Sequence, residues 1–450
     1  MIYKKTCLLL FAGIFFFSCS NLESVKPENR QSFIFYYGGT GNYAAVGAEQ
    51  VSDGFIVVGD SLDQSVNANG VGQKIILIKT GPQGNTIWRK VFKNGSANFI
   101  KPYNKGYLII GDSMYIDLSQ SLVVDQIKRK MRLISLDESG KKMADQSWGD
   151  TATAAANRVD KRGSSLAFDD KGDIITTSTV NYPKVASIYQ YTLMAAHNPT
   201  TLEMKWSVKY NQDSRDYQNS QSLHVNGANV IWATSAVKSS SQTNLSFLRI
   251  PVFKADSSFS TFVNSSSFGE NDANSYYSGV DIQPNAVGYG IIGTFQTYKG
   301  EAANMFFLRT DLLGNPIPNS DIYFDGPTCA KRLKPLDNST DPSSGKSVSL
   351  VQDQGISLTA TTDGGFLLVG YTTTTSDNSW GHGGKDVYLV RLDPFGNILW
   401  NKTFGGTGDE VPSTVRQTTD GGFLVSGTLT LAGQSSMFIL KTDSNGDLKN

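Results

Sequence analysis

The sequence predicts an all-β fold, a single β-propeller of seven four-stranded blades whose N-terminal strand completes the C-terminal blade. Three observations predict it. One unit recurs along the chain at a spacing of about 55 to 60 residues, the size of a propeller blade. The composition, with 44 glycines, 24 phenylalanines and 19 tyrosines, suits short strands joined by tight turns. The two ends of the chain carry complementary parts of one unit. At 450 residues, length alone would suggest about three domains, and a repeat array evades that estimate.

The chain opens with Lys4 and Lys5, then an apolar run from Cys7 to Phe17. That run is too short for a membrane-spanning helix, which needs about 20 residues. Ser18 and Cys19 follow, and the stretch resembles a lipobox, where bacterial lipoproteins are cleaved before a cysteine that becomes lipidated. Phe16 stands where leucine is usual, while Ser18 is suitably small. Residues 1–18 are therefore read as a lipoprotein signal peptide and Cys19 as the lipidated residue. Residues 19–30 are read as a tether and 31–450 as the propeller. The alternative is an ordinary cleaved signal and a periplasmic protein. After cleavage the thiols are Cys19 and Cys329, so no internal disulfide is expected and the fold must rest on its core. Cys329 is read as a lone thiol.

The repeat is clearest near the C-terminus. Thr361-Thr362-Asp363-Gly364-Gly365-Phe366-Leu367-Leu368-Val369-Gly370 is echoed by Thr418-Thr419-Asp420-Gly421-Gly422-Phe423-Leu424-Val425-Ser426-Gly427. Each is followed by a variable loop and an apolar strand ending in aspartate, Val387 to Asp393 or Met437 to Asp443. A turn comes next, and in the first copy a strand from Ile398 to Phe404 closes the unit. Older copies begin at Gly54, Gly106 and Gly288, with decayed ones around Asp170 and Asn226. Each unit thus offers four strands: one before the Asp-Gly-Gly turn, a continuous apolar run buried on both faces, a partly alternating strand, and one carrying an aromatic residue. Trp88, Trp148, Trp206 and Trp400 are read as one recurring position, packed between blades. The Asp-x-x-Gly-Asn element is a hairpin turn with glycine where φ is positive. A single blade cannot bury both of its faces, so neighbours must stack.

Units begin near Gly38, Gly95, Gly149, Asn211, Gly269, Gly326 and Gly405. The last one reaches Asn450 after three strands. Phe33-Ile34-Phe35-Tyr36-Tyr37-Gly38-Gly39 matches Thr403-Phe404-Gly405-Gly406, so the N-terminal strand is expected beside the strand around Phe438, sealing the ring without a covalent bond. Repeats of this form are similar to those of uncharacterised propeller lipoproteins of Gram-negative bacteria. The resemblance covers nearly the whole mature chain, strongly over 353–450 and weakly over 151–271. It implies the fold and an address at the outer membrane or cell surface, and brings no established activity.

In an up-and-down blade, the first-to-second and third-to-fourth turns share one side, and here both are tight. The other side carries long, varied loops: 60–73, 112–130, 371–385 and an insertion at about 327–352. Long loops on a rigid scaffold often carry function, so this face is expected to bind a protein partner or a glycan. Trp380 and His382, in a glycine-rich stretch, form the candidate binding loop, an aromatic platform in the functional reading and a self-packed loop in the plain one.

Chemistry of other kinds leaves no mark. Formal net charge is zero, which gives no pull on nucleic acid, and contact with a membrane is expected through the lipid alone. His197, His224 and His382 fall in different units without ligand spacing, so no metal site is predicted. The Asp-x-x-Gly-Asn turns lack the later glutamate of a calcium loop. Their aspartate and glycine are two residues apart rather than the one of a sialidase Asp-box, which removes that argument for a glycosidase. No cofactor motif and no catalytic residue is assigned. The reading that leads is a non-enzymatic binding or scaffold subunit. The alternative is a glycan hydrolase or lyase with carboxylates gathered at the channel mouth.

Overall fold

The computed structural model describes residues 32–448 apart from 64–65, 68–69, 117–126, 150–159, 184–187, 211–215, 228, 240–243, 255–261, 270–274, 298–302, 325–329, 332–351 and 374–382. Apart from a two-stranded hairpin of Val66–Asn67 and Gly70–Val71, its strands form seven antiparallel sheets arranged as the blades of a propeller, with no helix among the described residues. From the channel outward, blade 1 holds Tyr43–Val51, Gly54–Ser61, Lys74–Thr80 and Thr86–Lys93. Blade 2 holds Gly95–Tyr103, Gly106–Ile116, Ile127–Leu136 and Lys142–Trp148. Blade 3 holds Asp160–Phe168, Ile174–Pro183, Ile188–His197 and Met204–Tyr210. Blade 4 holds Asp216–Asn226, Asn229–Ser239, Asn244–Lys254 and Phe262–Phe268. Blade 5 holds Ser275–Asn285, Gly288–Thr297, Asn304–Thr310 and Ile322–Phe324, with Ala330–Lys331 as a fifth, short strand. Blade 6 holds Asp353–Ala360, Phe366–Thr373, Lys385–Leu392 and Ile398–Phe404.

Blade 7 is the composite predicted from the two ends. Asp409–Gln417, Phe423–Leu431 and Gln434–Thr442 are completed by Phe33–Tyr37. The register runs antiparallel from Phe33 opposite Lys441 to Tyr37 opposite Met437. Phe33 and Tyr37 enter the core between blades 7 and 1, where they meet Phe55, Ile78 and Leu424. Comparable cores fill every other junction around the ring, so no blade face is left open. The second strands are the deepest, as their apolar runs require: Gly54–Ser61 is buried throughout. The outer strand Thr86–Lys93 is mostly exposed.

Two repeated devices set the inner ring. Each innermost strand carries a one-residue bulge at the equivalent place, at Val46, Asn98, Ser164, Gln221, Val280, Ile356 and Ser413. Such a bulge bends the strand and re-aims its side chains. The recurring glycine that ends the apolar run sits across from it, as in Ala97 opposite Gly111 and Gly355 opposite Gly370. A Cβ on Gly370 would be driven into the carbonyl of Gln354. The next residue then locks the following blade: Ala45 N donates to Thr428 Oγ1 at 2.9 Å, Ala97 N to Asp60 Oδ1 at 2.9 Å and Gly163 N to Asp112 Oδ1 at 3.2 Å.

The tight turns follow the chemistry expected of them. In 393–397, Asp393 Oδ1 accepts from the amides of Phe395 and Asn397, both at 2.8 Å, and Gly396 has φ +88°. Asp137, Asp311 and Asp443 repeat the pattern, so these carboxylates are committed to their own turns. The tryptophans correct one expectation. Trp88, Trp206 and Trp400 do share a position, but Trp148 is the last residue of its strand, and Ala144 occupies the equivalent place. Trp400 packs over Gly446 of the next blade and Trp88 over Gly140.

Candidate functional site

Cys19, Cys329 and the binding-loop pair Trp380 and His382 lie outside the described residues, as do most of the long loops. His197 is a core residue: it is fully buried, its Nε2 lies 3.0 Å from Thr176 Oγ1, and its ring packs on Trp148 with centroids 4.6 Å apart. Burial pulls its pKa down to about 4. Among the described residues no cluster of three or more His, Cys, Asp or Glu side chains is arranged to hold a metal ion.

The structure instead brings together residues of the innermost strands. Side chains on a strand alternate in direction, and the common bulge puts the seven strands in one phase. Three residues beyond the position preceding each bulge stand Ala48, Ile100, Leu166, Leu223, Ile282, Leu358 and Val415, each in a junction core. The next position is occupied by Glu49, Lys101, Ala167, His224, Gln283, Thr359 and Arg416. These share one level of the inner ring, near the tight-turn face, with Ala167 packed into the blade 3–4 core and Thr359 buried. Arg416 Nε donates to Glu49 Oε1 at 2.7 Å. Asp281, one layer away, accepts from Ser357 Oγ at 2.8 Å and Leu358 N at 3.1 Å.

Burial lowers the pKa of Lys101, Glu49 opposes that, and Arg416 adds to it. His224 is brought to about 4 by burial and then by the charge of Lys101, so its imidazole is neutral at physiological pH. Asp281 is raised by burial, with Arg416 acting against the shift. Lys101 Nζ lies over the Phe168 ring, 5.7 Å from its centroid.

A second feature opens on the same face, between blades 1 and 2. It is a cleft of about 710 Å³ running from Ile87 and Trp88 on the outer strand to Val51, Pro102 and Tyr103 at the ends of inner strands. Tyr107 forms part of the wall, edge-on to Trp88 with centroids 6.4 Å apart. The polar lining includes Asp53, Lys79, Asn104, Lys105 and Glu138. Lys79 pairs with Asp53 at 2.8 Å and holds its carboxyl below the usual range. Tyr107 is pushed up to about 12, first by burial and then by the charges of Asp53 and Glu138. Both carboxylates line the same cleft as the tyrosine.

Sequence reading missed both features. The channel residues share a repeat position, but that is visible only when the strands are aligned on their bulges. The cleft joins Asp53, Trp88, Tyr103 and Glu138 from two units. The expected binding face is the opposite one, and little of it is described.

No protein-family model and no curated protein sequence matches the chain. Solved structures resemble it at low identity. Drosophila Semaphorin 1a, extracellular domains 1-2, is 8% identical with a TM-score of 0.46, over 91% of this chain and 87% of that one. Drosophila Plexin A, in complex with Semaphorin 1b, is 9% identical with a TM-score of 0.44, over 90% and 86%. Penicillium chrysogenum alpha-L-arabinanase, complexed with arabinobiose, is 10% identical with a TM-score of 0.43, over 92% and 98%. Likeness this distant carries nothing about what the chain binds or does.

Proposed function

We propose that this protein is a non-enzymatic binding propeller of the bacterial envelope, tied to the outer membrane through a lipid on Cys19, and that its blade 1–2 cleft takes a segment of glycan. The observation that supports it is the cleft's composition. Trp88 and Tyr103, the latter backed by the stacked Phe168 ring 4.8 Å away, offer ring surface to the apolar faces of a sugar over the buried Tyr107, and Asn104, Lys105 and Glu138 offer hydrogen bonds to its hydroxyls. A hydrolytic reading fits less well. It needs one carboxyl to deliver a proton, and Asp53 is held as a carboxylate by Lys79.

Calorimetric titration with envelope polysaccharide fragments tests this. Trp88→Ala should weaken binding about tenfold or more, the loss of one stacking anchor. Because Trp88 also packs on Gly140, Glu138→Gln serves as a second variant whose fold is less exposed to the change. Steady release of new reducing ends from the same fragments would overturn the non-enzymatic reading. Equal affinity in both variants would remove the cleft from it. Cys19→Ser should move the protein from the membrane fraction to the soluble one.

A further inference from the structure

A further cavity lies where the chain crosses from the outer strand of blade 6 to the inner strand of blade 7. It is a slot of about 100 Å³, walled by Ile34 and Tyr36 of the closing strand, by Phe404 and by Glu410, over Phe438 and Leu440. Ile34 and Tyr36 are exposed, whereas Phe438 and Leu440 belong to the blade 6–7 core. Glu410 is only 7% exposed. Its Oε2 accepts from Gly406 N at 3.1 Å, and no ion pair reaches it among the described residues. Burial raises its pKa, the Gly406 amide opposes that, and the charges of Asp386 and Asp409 add to it. Asp386 is fully buried. A Cβ on Gly405 would be driven onto Asp386 Oδ1 and would stand 2.9 Å from Glu410 Oε2, so the two carboxyls meet over that glycine. Lys385, next to them in the chain, holds its ammonium over the Tyr371 ring, 4.7 Å from the centroid.

The crossing itself does not need these acids. Phe404-Gly405-Gly406-Thr407-Gly408-Asp409-Glu410 is repeated between blades 7 and 1 as Tyr37-Gly38-Gly39-Thr40-Gly41-Asn42-Tyr43. There Asn42 Oδ1 accepts from Ser435 N at 2.9 Å, as Asp409 Oδ1 accepts from Lys385 N at 3.0 Å. Ser436 Oγ crowds Gly38 as Asp386 crowds Gly405. Tyr43 stands where Glu410 does. One junction is thus closed by neutral groups and the next by three carboxyls, and one of the three, Glu410, lines an apolar slot.

We propose that this slot binds an organic ammonium group, with its apolar stem against Ile34, Tyr36 and Phe404 and its charge on the Glu410 carboxylate. Aromatic rings attract a cation, and a carboxylate shielded from water holds one more strongly than a carboxylate on an open surface. An apolar cavity of roughly 150 Å³ takes a benzene ring, so this smaller one suits a single slender chain. The site uses none of the cleft residues and stands apart from the glycan reading.

The test is titration of the full chain with butylammonium, butyltrimethylammonium and neutral butanol, against sodium chloride at matched ionic strength. Saturable heat and shifted Tyr36 ring resonances are expected for at least one ammonium. Butylammonium alone would assign a primary, lysine-type head, and butyltrimethylammonium alone a quaternary one. Glu410→Gln keeps the shape and an acceptor for the Gly406 amide, and should weaken binding about tenfold or more, the loss of one charge-assisted contact. If that variant does not fold, Tyr36→Ala on the exposed wall replaces it, with a loss of several fold expected. Heats no larger than those of sodium chloride, butanol bound as tightly as the cations, or unchanged affinity in the variant would overturn the proposal.

Discussion

In blades 1 and 2 a carboxyl does what a hydroxyl does in blade 7. Asp60, Asp112 and Thr428 each follow the glycine that faces a bulge, and each accepts the bulge amide of the next blade. Threonine does this without charge. Asp60 is lifted to about 7 by burial, helped by the charge of Asp112 and opposed by the Ala97 amide. Asp112 is lifted to about 6 by burial, with Arg129 and Arg162 holding it down. A carboxyl raised in the folded state keeps a proton that the unfolded chain releases. Its contribution is fully present below about pH 4 and is lost as pH climbs through 6 to 7. Asp60→Asn retains an acceptor oxygen and removes the titration. Melting between pH 5 and 8 should show the wild type losing stability with rising pH and the variant losing less. The gap at pH 8 should be on the order of 1–3 kcal/mol. Parallel curves would show that Asp60 does not titrate in that window.

Among the elements, the closing strand was the easiest to foresee and the bulges the hardest. Phe33 to Tyr37 could be placed beside Phe438 because Tyr37-Gly38-Gly39 matches Phe404-Gly405-Gly406 and because an aromatic strand at a chain end needs a sheet to bury it. Second strands were legible for a similar reason, since a run such as Phe366 to Val369 has no polar face to give to water. A bulge adds one residue and leaves no composition behind. Beyond it the side chains change sides, so the phase of Glu49, Lys101 and Arg416 could not be read from alternation alone. The cleft was hidden because Trp88 and Glu138 meet only once two blades stack. Removing residues 1–37 tests the closing strand directly. It exposes the edge of Gln434–Thr442 and strips Phe33 and Tyr37 from their core. Loss of two buried aromatic side chains should lower the melting temperature by more than about 10 °C and promote aggregation. An unchanged melting curve would mean that the ring does not depend on this strand.

At the scale of the whole molecule, the ring has a seam whose location is a matter of chain order rather than of packing. In blade 6, two residues separate Asn397 from Trp400, which pairs with Arg391. In blade 7, Phe33 takes the place of that tryptophan, opposite Lys441. A circular permutant in which two residues join Asp447 to Phe33, with new ends opened near Thr40, should therefore fold to the same ring. Near-identical circular dichroism and a single melting transition would support this, and an expanded or oligomeric product would contradict it.

The Lys441 end of the seam adjoins the turn that begins at Asp443, so the chain enters the ring from the side of the tight turns. With a lipid on Cys19, the leash to Phe33 could reach no more than roughly 50 Å even when taut. The wheel would then stay within that distance of the bilayer, held by its tight-turn side. The cleft opens on that same tethered side, within reach of molecules carried on the bilayer surface.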